Sequence, residues 1–248
     1  MYLTTPLLMR HNVARAVRVP GWLFIALAQP ALYLLFFGPI VERFSEPFGI
    51  DPWLMFVPGI LVLLGLFSGM SAGFGIVAEL RAGAVERHRV TPAPRASLLL
   101  GRVLPEGAAV SAQGVIVVAL GWLLGIRPDW VGLALTLVLV GVFTVGVASI
   151  CVALGLAVRN ENGVSAITNS LNLPLMLLAG ILLPMELAPG WLEFLSHLNP
   201  VTYTVNAARA LTAGEFLGAD ALVGTSVTLV VAALLVTISV RRFHRENA

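Results

Sequence analysis

Residues 53–78 read WLMFVPGILVLLGLFSGMSAGFGIVA, and residues 79–102 continue ELRAGAVERHRVTPAPRASLLLGR. The first stretch holds no charged side chain and exceeds the roughly 20 apolar residues that a helix needs to cross a bilayer. The second packs five arginines and two glutamates between that run and the next apolar one. The contrast repeats along the chain. Arg10, Arg15 and Arg18 precede one apolar run, Arg159 follows another, and Arg241, Arg242 and Arg245 come near the end. Between the alternate pairs of runs stand only Arg43, Arg127 and Arg209. Cytoplasmic loops gather Lys and Arg, so both termini and the 79–102 segment are expected on the cytoplasmic side. Such a layout requires an even number of spans.

Hydrophobic residues make up 58% of the 248 and charged ones 11%, whereas a soluble domain is about 45–50% apolar and about 25% charged. The expected fold is an all-α integral membrane protein with a single transmembrane domain over 1–248. Its six helices span roughly 21–40, 53–78, 103–126, 131–158, 164–185 and 221–240. The alternating segments of about 10 residues that a β-barrel requires are absent. Trp22, Trp53, Trp122 and Trp130 fall near span ends, where an interfacial aromatic belt belongs. The turn Ile126-Arg127-Pro128-Asp129 makes spans three and four an antiparallel hairpin. Ala26-Leu27-Ala28 resembles a signal cleavage site, but hydrophobicity continues to Ile40, which favours a retained anchor.

Residues 3–18 place Arg10, His11, Arg15 and Arg18 opposite Met9, Val13, Ala16 and Val17, the pattern of an interfacial helix on the inner surface. Residues 186–220 are too polar to span. Trp191, Leu192, Leu195 and Leu198 recur at helical spacing, and Asn199-Pro200 offers an N-cap followed by proline at the first helical position. Two short outer helices, or a re-entrant pair, are expected there. Gly65, Gly69 and Gly73 form a doubled G-x-x-x-G for close helix approach, expected within one subunit.

Several chemistries are excluded. All 15 cations are arginine, and without lysine there is no phosphate loop, Schiff base or lysine general base. His11, His88, His197 and His244 lie outside the spans, as do Asp51, Asp129 and Asp220. No buried Ser-His or Asp pair and no H-E-x-x-H metal motif can be assembled. Cys151, the single cysteine, forms no intrachain disulfide and is expected to pack as a small apolar side chain. Glu106 is the one ionisable residue inside a span, and Arg102, four residues earlier on the same face, is its expected partner.

Two segments carry a resemblance. In the connector Glu79, Arg81, Gly83, Glu86, Thr91, Pro92, Arg95 and Gly101 follow a pattern that resembles the membrane subunit of ABC-2 type exporters. Arg102 stands where that family often has lysine, and His88 and Arg89 replace residues more often apolar. The stretch from Pro184 to Leu192, with Leu198-Asn199-Pro200-Val201-Thr202-Tyr203 and Ala208-Arg209-Ala210-Leu211, is similar to the family's outer signature, with Trp191, Asn199, Pro200 and Arg209 its marked positions. The overall plan looks most like drug and antibiotic exporters of the daunorubicin-resistance type.

The resemblance implies a permease in a bacterial cell (inner) membrane, paired with a second copy or a similar subunit. Two separate ABC ATPase subunits would serve it, with ATP and magnesium bound there and no cofactor on this chain. It also implies that Glu79, Arg81, Gly83, Glu86, Arg87, Thr91, Pro92, Arg95 and Arg102 form the ATPase-coupling segment. Nucleic acid is not an expected partner, and membrane lipid is. The expected cargo is an amphipathic drug, antibiotic or lipid. Export of a polysaccharide or glycolipid is the alternative, although span five carries no aromatic stacking platform; a secondary carrier would need broken helices or buried charges. Spans one, two and five lie near the path in this family, so Phe36, Phe37, Phe67, Asn169 and Asn172 are its candidates, among a wider aromatic set of Phe24, Tyr33, Phe56 and Phe74. Thr168, Asn169, Ser170 and Asn172 are also suited to helix–helix hydrogen bonds.

Overall fold

The computed structural model describes residues 28, 31–36, 38–40, 52–81, 95–123, 129–181, 185 and 188–245. The expected interfacial helix at 3–18, half of the first span and residues 82–94 of the connector lie outside the described residues. After short helical stretches at 31–36 and 38–40, seven helices follow: α1 (Pro52–Arg81), α2 (Arg95–Leu123), α3 (Trp130–Val158), α4 (Glu161–Leu178), α5 (Gly190–His197), α6 (Pro200–Thr212) and α7 (Ala219–Arg245). Among the described residues, four helices (α1, α2, α3 and α7) are long and apolar enough to cross a membrane.

The caps explain where these helices begin and stop. Asp129 precedes α3 and its side chain accepts the Gly132 N–H at 2.7 Å, satisfying a donor that has no partner within the helix. Asn160 does the same for α4 through Asn162 N–H at 3.0 Å, with Glu161 in the first turn facing the positive end of the helix dipole. Asn199 caps α6 with Pro200 at its first position, as the sequence indicates. Arg159 ends α3 at φ 53, a left-handed conformation more often given to glycine.

Helix α3 is the hub of the bundle. It packs on α1, α2, α7, α6 and α4, and its buried side includes Val140, Phe143, Thr144, Val147, Ala148 and Cys151. The doubled G-x-x-x-G of α1 faces this side: a Cβ on Gly65 would meet Thr144 and Val140, one on Gly69 would meet Val147, and one on Gly73 would lie 2.9 Å from the Cys151 carbonyl oxygen. The glycine seam is therefore a contact within the chain. Between apolar helices in lipid, dispersion from such close packing replaces the hydrophobic driving force. Cys151 sits in this seam as a buried free thiol, as expected. Ser111 Oγ lies 3.0 Å from both Gly107 O on its own helix and Leu137 O on α3, joining α2 to the hub.

Several boundaries differ from the sequence reading. The fifth window, 164–185, is observed as α4 ending at Leu178, because Gly180 takes a left-handed φ of 66 and turns the chain away. The last window, 221–240, lies inside the longer α7. Arg95, assigned to the connector, is the first residue of α2.

Candidate functional site

The connector joins α1 to α2, and polar side chains gather where these helices meet it. Arg102 of α2 forms an ion pair with Glu79 in the last turns of α1. Arg81, the final residue of α1, pairs with Glu161 of α4 at 3.0 Å. Arg159 Nε donates to Leu156 O at 3.2 Å beside the α3–α4 junction. Partly exposed ion pairs contribute only about 0–1 kcal/mol each, so their effect is geometric: they hold α2 to α1, and α1 to α4, at the mouth of the connector. Of the nine residues expected to couple to an ATPase, Glu79, Arg81, Arg95 and Arg102 stand at these helix ends. Gly83, Glu86, Arg87, Thr91 and Pro92 lie outside the described residues.

The expected local pair between Arg102 and Glu106 is not formed. Side chains on a helix lean toward its N-terminus, which carries Arg102 away from Glu106 and onto Glu79. Glu106 instead accepts a hydrogen bond from Ser68 Oγ on α1 at 3.0 Å.

At the far end of the bundle, α6 fastens four other helices. Asn199 Nδ2 donates to Leu175 O at 2.8 Å and Thr202 Oγ1 to Leu178 O at 3.0 Å. Arg209 Nη2 donates to Gly180 O at 2.7 Å and also lies 3.3 Å from Ile181 O. Three side chains of one neighbour thus donate to carbonyls at the end of α4: Leu178 O has no partner within the helix, whereas Leu175 O also accepts the Ala179 N–H. Arg209 Nε also donates to Met55 O of α1 at 3.0 Å. Thr212 meets Thr136 of α3 at 3.1 Å, and Thr204 meets Thr228 of α7 at 2.9 Å. The outer-signature positions thus divide. Asn199 and Arg209 are structural fasteners and Pro200 is a helix start, while Trp191 on α5 is 67% exposed. The sequence signal for this hub was a polar helix, with several threonines, too polar to span and yet rich in alanine.

Met55 and Glu79 mark the two ends of α1. They are separated by 24 residues, or about 36 Å at 1.5 Å per residue, comparable with a bilayer core of about 30 Å.

The candidate path residues are not gathered into one cluster. Phe36 is exposed, Phe37 lies outside the described residues, and Phe67 is half-buried against the main core. Phe56, one of the wider aromatic set, is a fully buried core residue and lines no surface. Asn169 is exposed and donates to Ser165 Oγ at 3.1 Å, while Thr168 Oγ1 donates to Val164 O at 2.8 Å. These bonds stay within α4, contrary to the helix–helix bonds expected, because only Val164 and Thr168 of that helix are buried. Asn172 Oδ1 is buried without a hydrogen-bond partner. Among the described residues no three His, Cys, Asp or Glu side chains form a metal-binding group.

Comparison with known proteins agrees with this architecture. The family profile described as "ABC-2 type transporter" matches residues 5–213. The daunorubicin resistance ABC transporter permease protein DrrB1 of Streptomyces coeruleorubidus is 25% identical over 233 residues, covering 92% of this chain and 82% of that protein. The inner membrane transport permease YadH of Escherichia coli K12 is 28% identical over 190 residues, covering 72% and 70%. With the match extending over most of its length and four helices able to cross a bilayer, the chain is a membrane protein belonging to the ABC-2 type transporter family.

Proposed function

We propose that this chain is the membrane-spanning subunit of an ATP-driven exporter that moves an amphipathic drug, antibiotic or lipid out of a bacterial cell. It crosses the cell membrane six times with both termini inside. It pairs with a second permease copy and receives its energy from two separate ATPase subunits that bind ATP and magnesium. The connector between α1 and α2 is the surface those subunits grip.

One observation carries this reading. The connector leaves the end of α1 that is tied to α2 and α4 by Glu79–Arg102 and Arg81–Glu161, about 36 Å along the helix from the α6 hub. A push on the connector therefore reaches three helices at once. The absence of lysine agrees with a borrowed motor, because this chain has no phosphate loop of its own. ATP shifts such a system only by binding one conformation of the complex more tightly than the other. The apolar cargo class follows the permease of daunorubicin resistance among the relatives.

The test is ATP-dependent uptake of daunorubicin into inverted vesicles that hold the chain and its ATPase. Glu86→Ala and Arg87→Ala are expected to leave ATP hydrolysis measurable while uptake falls at least several-fold; full coupling in both variants would remove the connector assignment. A second arm places a single cysteine at Arg89 in a Cys151→Ser background. Labelling of that cysteine by an impermeant maleimide on intact cells would put the connector outside and end the proposal.

A further inference from the structure

Glu106 stands outside the two ion pairs described at the connector end. Arg81 is engaged by Glu161 and Arg102 by Glu79, and Glu106 forms no contact ion pair among the described residues, Arg102 acting on it only from beyond contact distance. Among the described residues its hydrogen-bond donor is the hydroxyl of Ser68, which donates to Oε2 at 3.0 Å. A carboxylate inside a membrane span is expensive, and such residues face partners, water or ligands. One neutral hydroxyl and an arginine already engaged by Glu79 leave it only partly compensated.

The surroundings are suited to a ligand. Glu106 and Ser68 are both half-buried at the seam of α1 and α2, not sealed in the core. One turn along α1, Ser71 is exposed, and its hydroxyl is spent on Ser68 O at 2.7 Å, so it does not compete for the carboxylate. A Cβ added at Gly75 would meet nothing within 4 Å, and Ala78 is exposed. Ser68, Ser71, Gly75 and Ala78 share one helix face at spacings of three and four. This uncrowded face leads from the connector end to the carboxylate. Glu106 stands one helical turn, about 6 Å, beyond Arg102, so the site is entered from the end of the bundle that carries the connector.

We propose that Glu106, with Ser68, is a recognition site for an alkylammonium group, the charged head of an amphipathic cation whose chain lies along this face of α1. The carboxylate accepts N–H bonds from the ammonium, and charge-assisted bonds of this kind are about twice as strong as neutral ones. The ammonium comes either from a free amphiphile or from a phosphatidylethanolamine headgroup. The inference rests on the exporter reading only in taking the occupant to be cargo; binding itself needs no ATPase.

The experiment uses the full chain in phosphatidylcholine nanodiscs, with dodecylamine and its neutral counterpart dodecanol as probes. In the wild type, the modification of Glu106 by a pulse of dicyclohexylcarbodiimide, with acylurea and dodecylamide products counted together by mass spectrometry, is expected to slow at least several-fold with dodecylamine and not with dodecanol. Glu106→Gln is expected to weaken dodecylamine binding by about ten-fold or more while leaving dodecanol unchanged. Adding phosphatidylethanolamine assigns the source: competition with dodecylamine identifies the lipid headgroup, and no competition identifies a free amphiphile. Equal protection by both probes, or equal dodecylamine affinity in Glu106→Gln, overturns the proposal. The wild-type labelling arm decides the question even if the variant does not fold. Failure here leaves the ATP-driven uptake assay untouched, so the two readings fail separately.

Discussion

Two glycines on α1, two residues apart, should respond in opposite directions to the same substitution. A Cβ at Gly73 would lie 2.9 Å from Cys151 O and 3.3 Å from Cys151 Cβ, so an alanine there must push α3 away. A Cβ at Gly75 would meet nothing within 4 Å. Both substitutions gain about 0.5–1 kcal/mol from replacing glycine inside a helix. Only Gly73→Ala also incurs overpacking against backbone, about 1–3 kcal/mol. The shared gain cancels in the comparison. Gly75→Ala should therefore be more stable than Gly73→Ala by about 1–3 kcal/mol, with Gly73→Ala below the wild type and Gly75→Ala at or above it. The chain supplies its own probe, since Cys151 is its single thiol and is 7% exposed in the same seam. Unfolding of the purified chain by increasing dodecyl sulfate, pulsed with a maleimide dye at each step, reads the unfolded fraction for all three proteins. Equal shifts in the same direction for both variants would refute the close approach of α1 and α3.

Three further outcomes follow from the polar contacts. Arg209→Met removes the donor for Met55, Gly180 and Ile181 carbonyls and should cost about 2–4 kcal/mol, with Arg209→Lys recovering part of it, measured by the same unfolding assay. Asn199→Ala loses both the cap of α6 and the bond to Leu175 O, for about 2 kcal/mol; a cost below about 0.5 kcal/mol would show that neither contact matters. Reversing one member of the Glu79–Arg102 pair should reduce ATP-driven uptake, and the exchanged double variant Glu79→Arg with Arg102→Glu should recover at least half of the loss. A double variant as poor as either single one would mean that the pair does not hold the connector helices together.

The long helices were legible because a bilayer imposes a length on apolar runs, and the windows at 53–78, 103–126 and 131–158 fall within α1, α2 and α3 apart from the last residues of the second. The start of α6 was legible for a different reason: Asn199-Pro200 is a local capping signal that needs no knowledge of the rest of the chain. Local signals were insufficient elsewhere. Leu182 and Leu183 continue the apolar run of the fifth window, yet α4 stops at Leu178, where Gly180 turns left-handed and Thr202 and Arg209 of α6 donate to the carbonyls of Leu178 and Gly180. That decision is made between elements distant in sequence. The partner of Arg102 shows the same limit. Spacing along one helix pointed to Glu106, whereas the carboxylate it meets belongs to the neighbouring helix. Asn169 and Asn172 stand out in the sequence as polar residues within a span, three apart and so on one side of α4; the structure leaves Asn169 exposed and Asn172 Oδ1 unbonded, with no hydrogen bond between them.

The fastening of α4 by α6 has a consequence for how this stretch tolerates change in length. Thr202 and Arg209 are seven residues apart and so lie on one stripe of the helix. Each residue turns an α-helix by about 100°, so deleting or inserting one codon between them would swing the guanidinium off the Met55, Gly180 and Ile181 carbonyls without altering any side chain. Residue count from Asn199 to Arg209 is thus a stricter requirement than composition. Chimaeras with related permeases that splice inside this interval need matched numbers of residues on both sides of the junction.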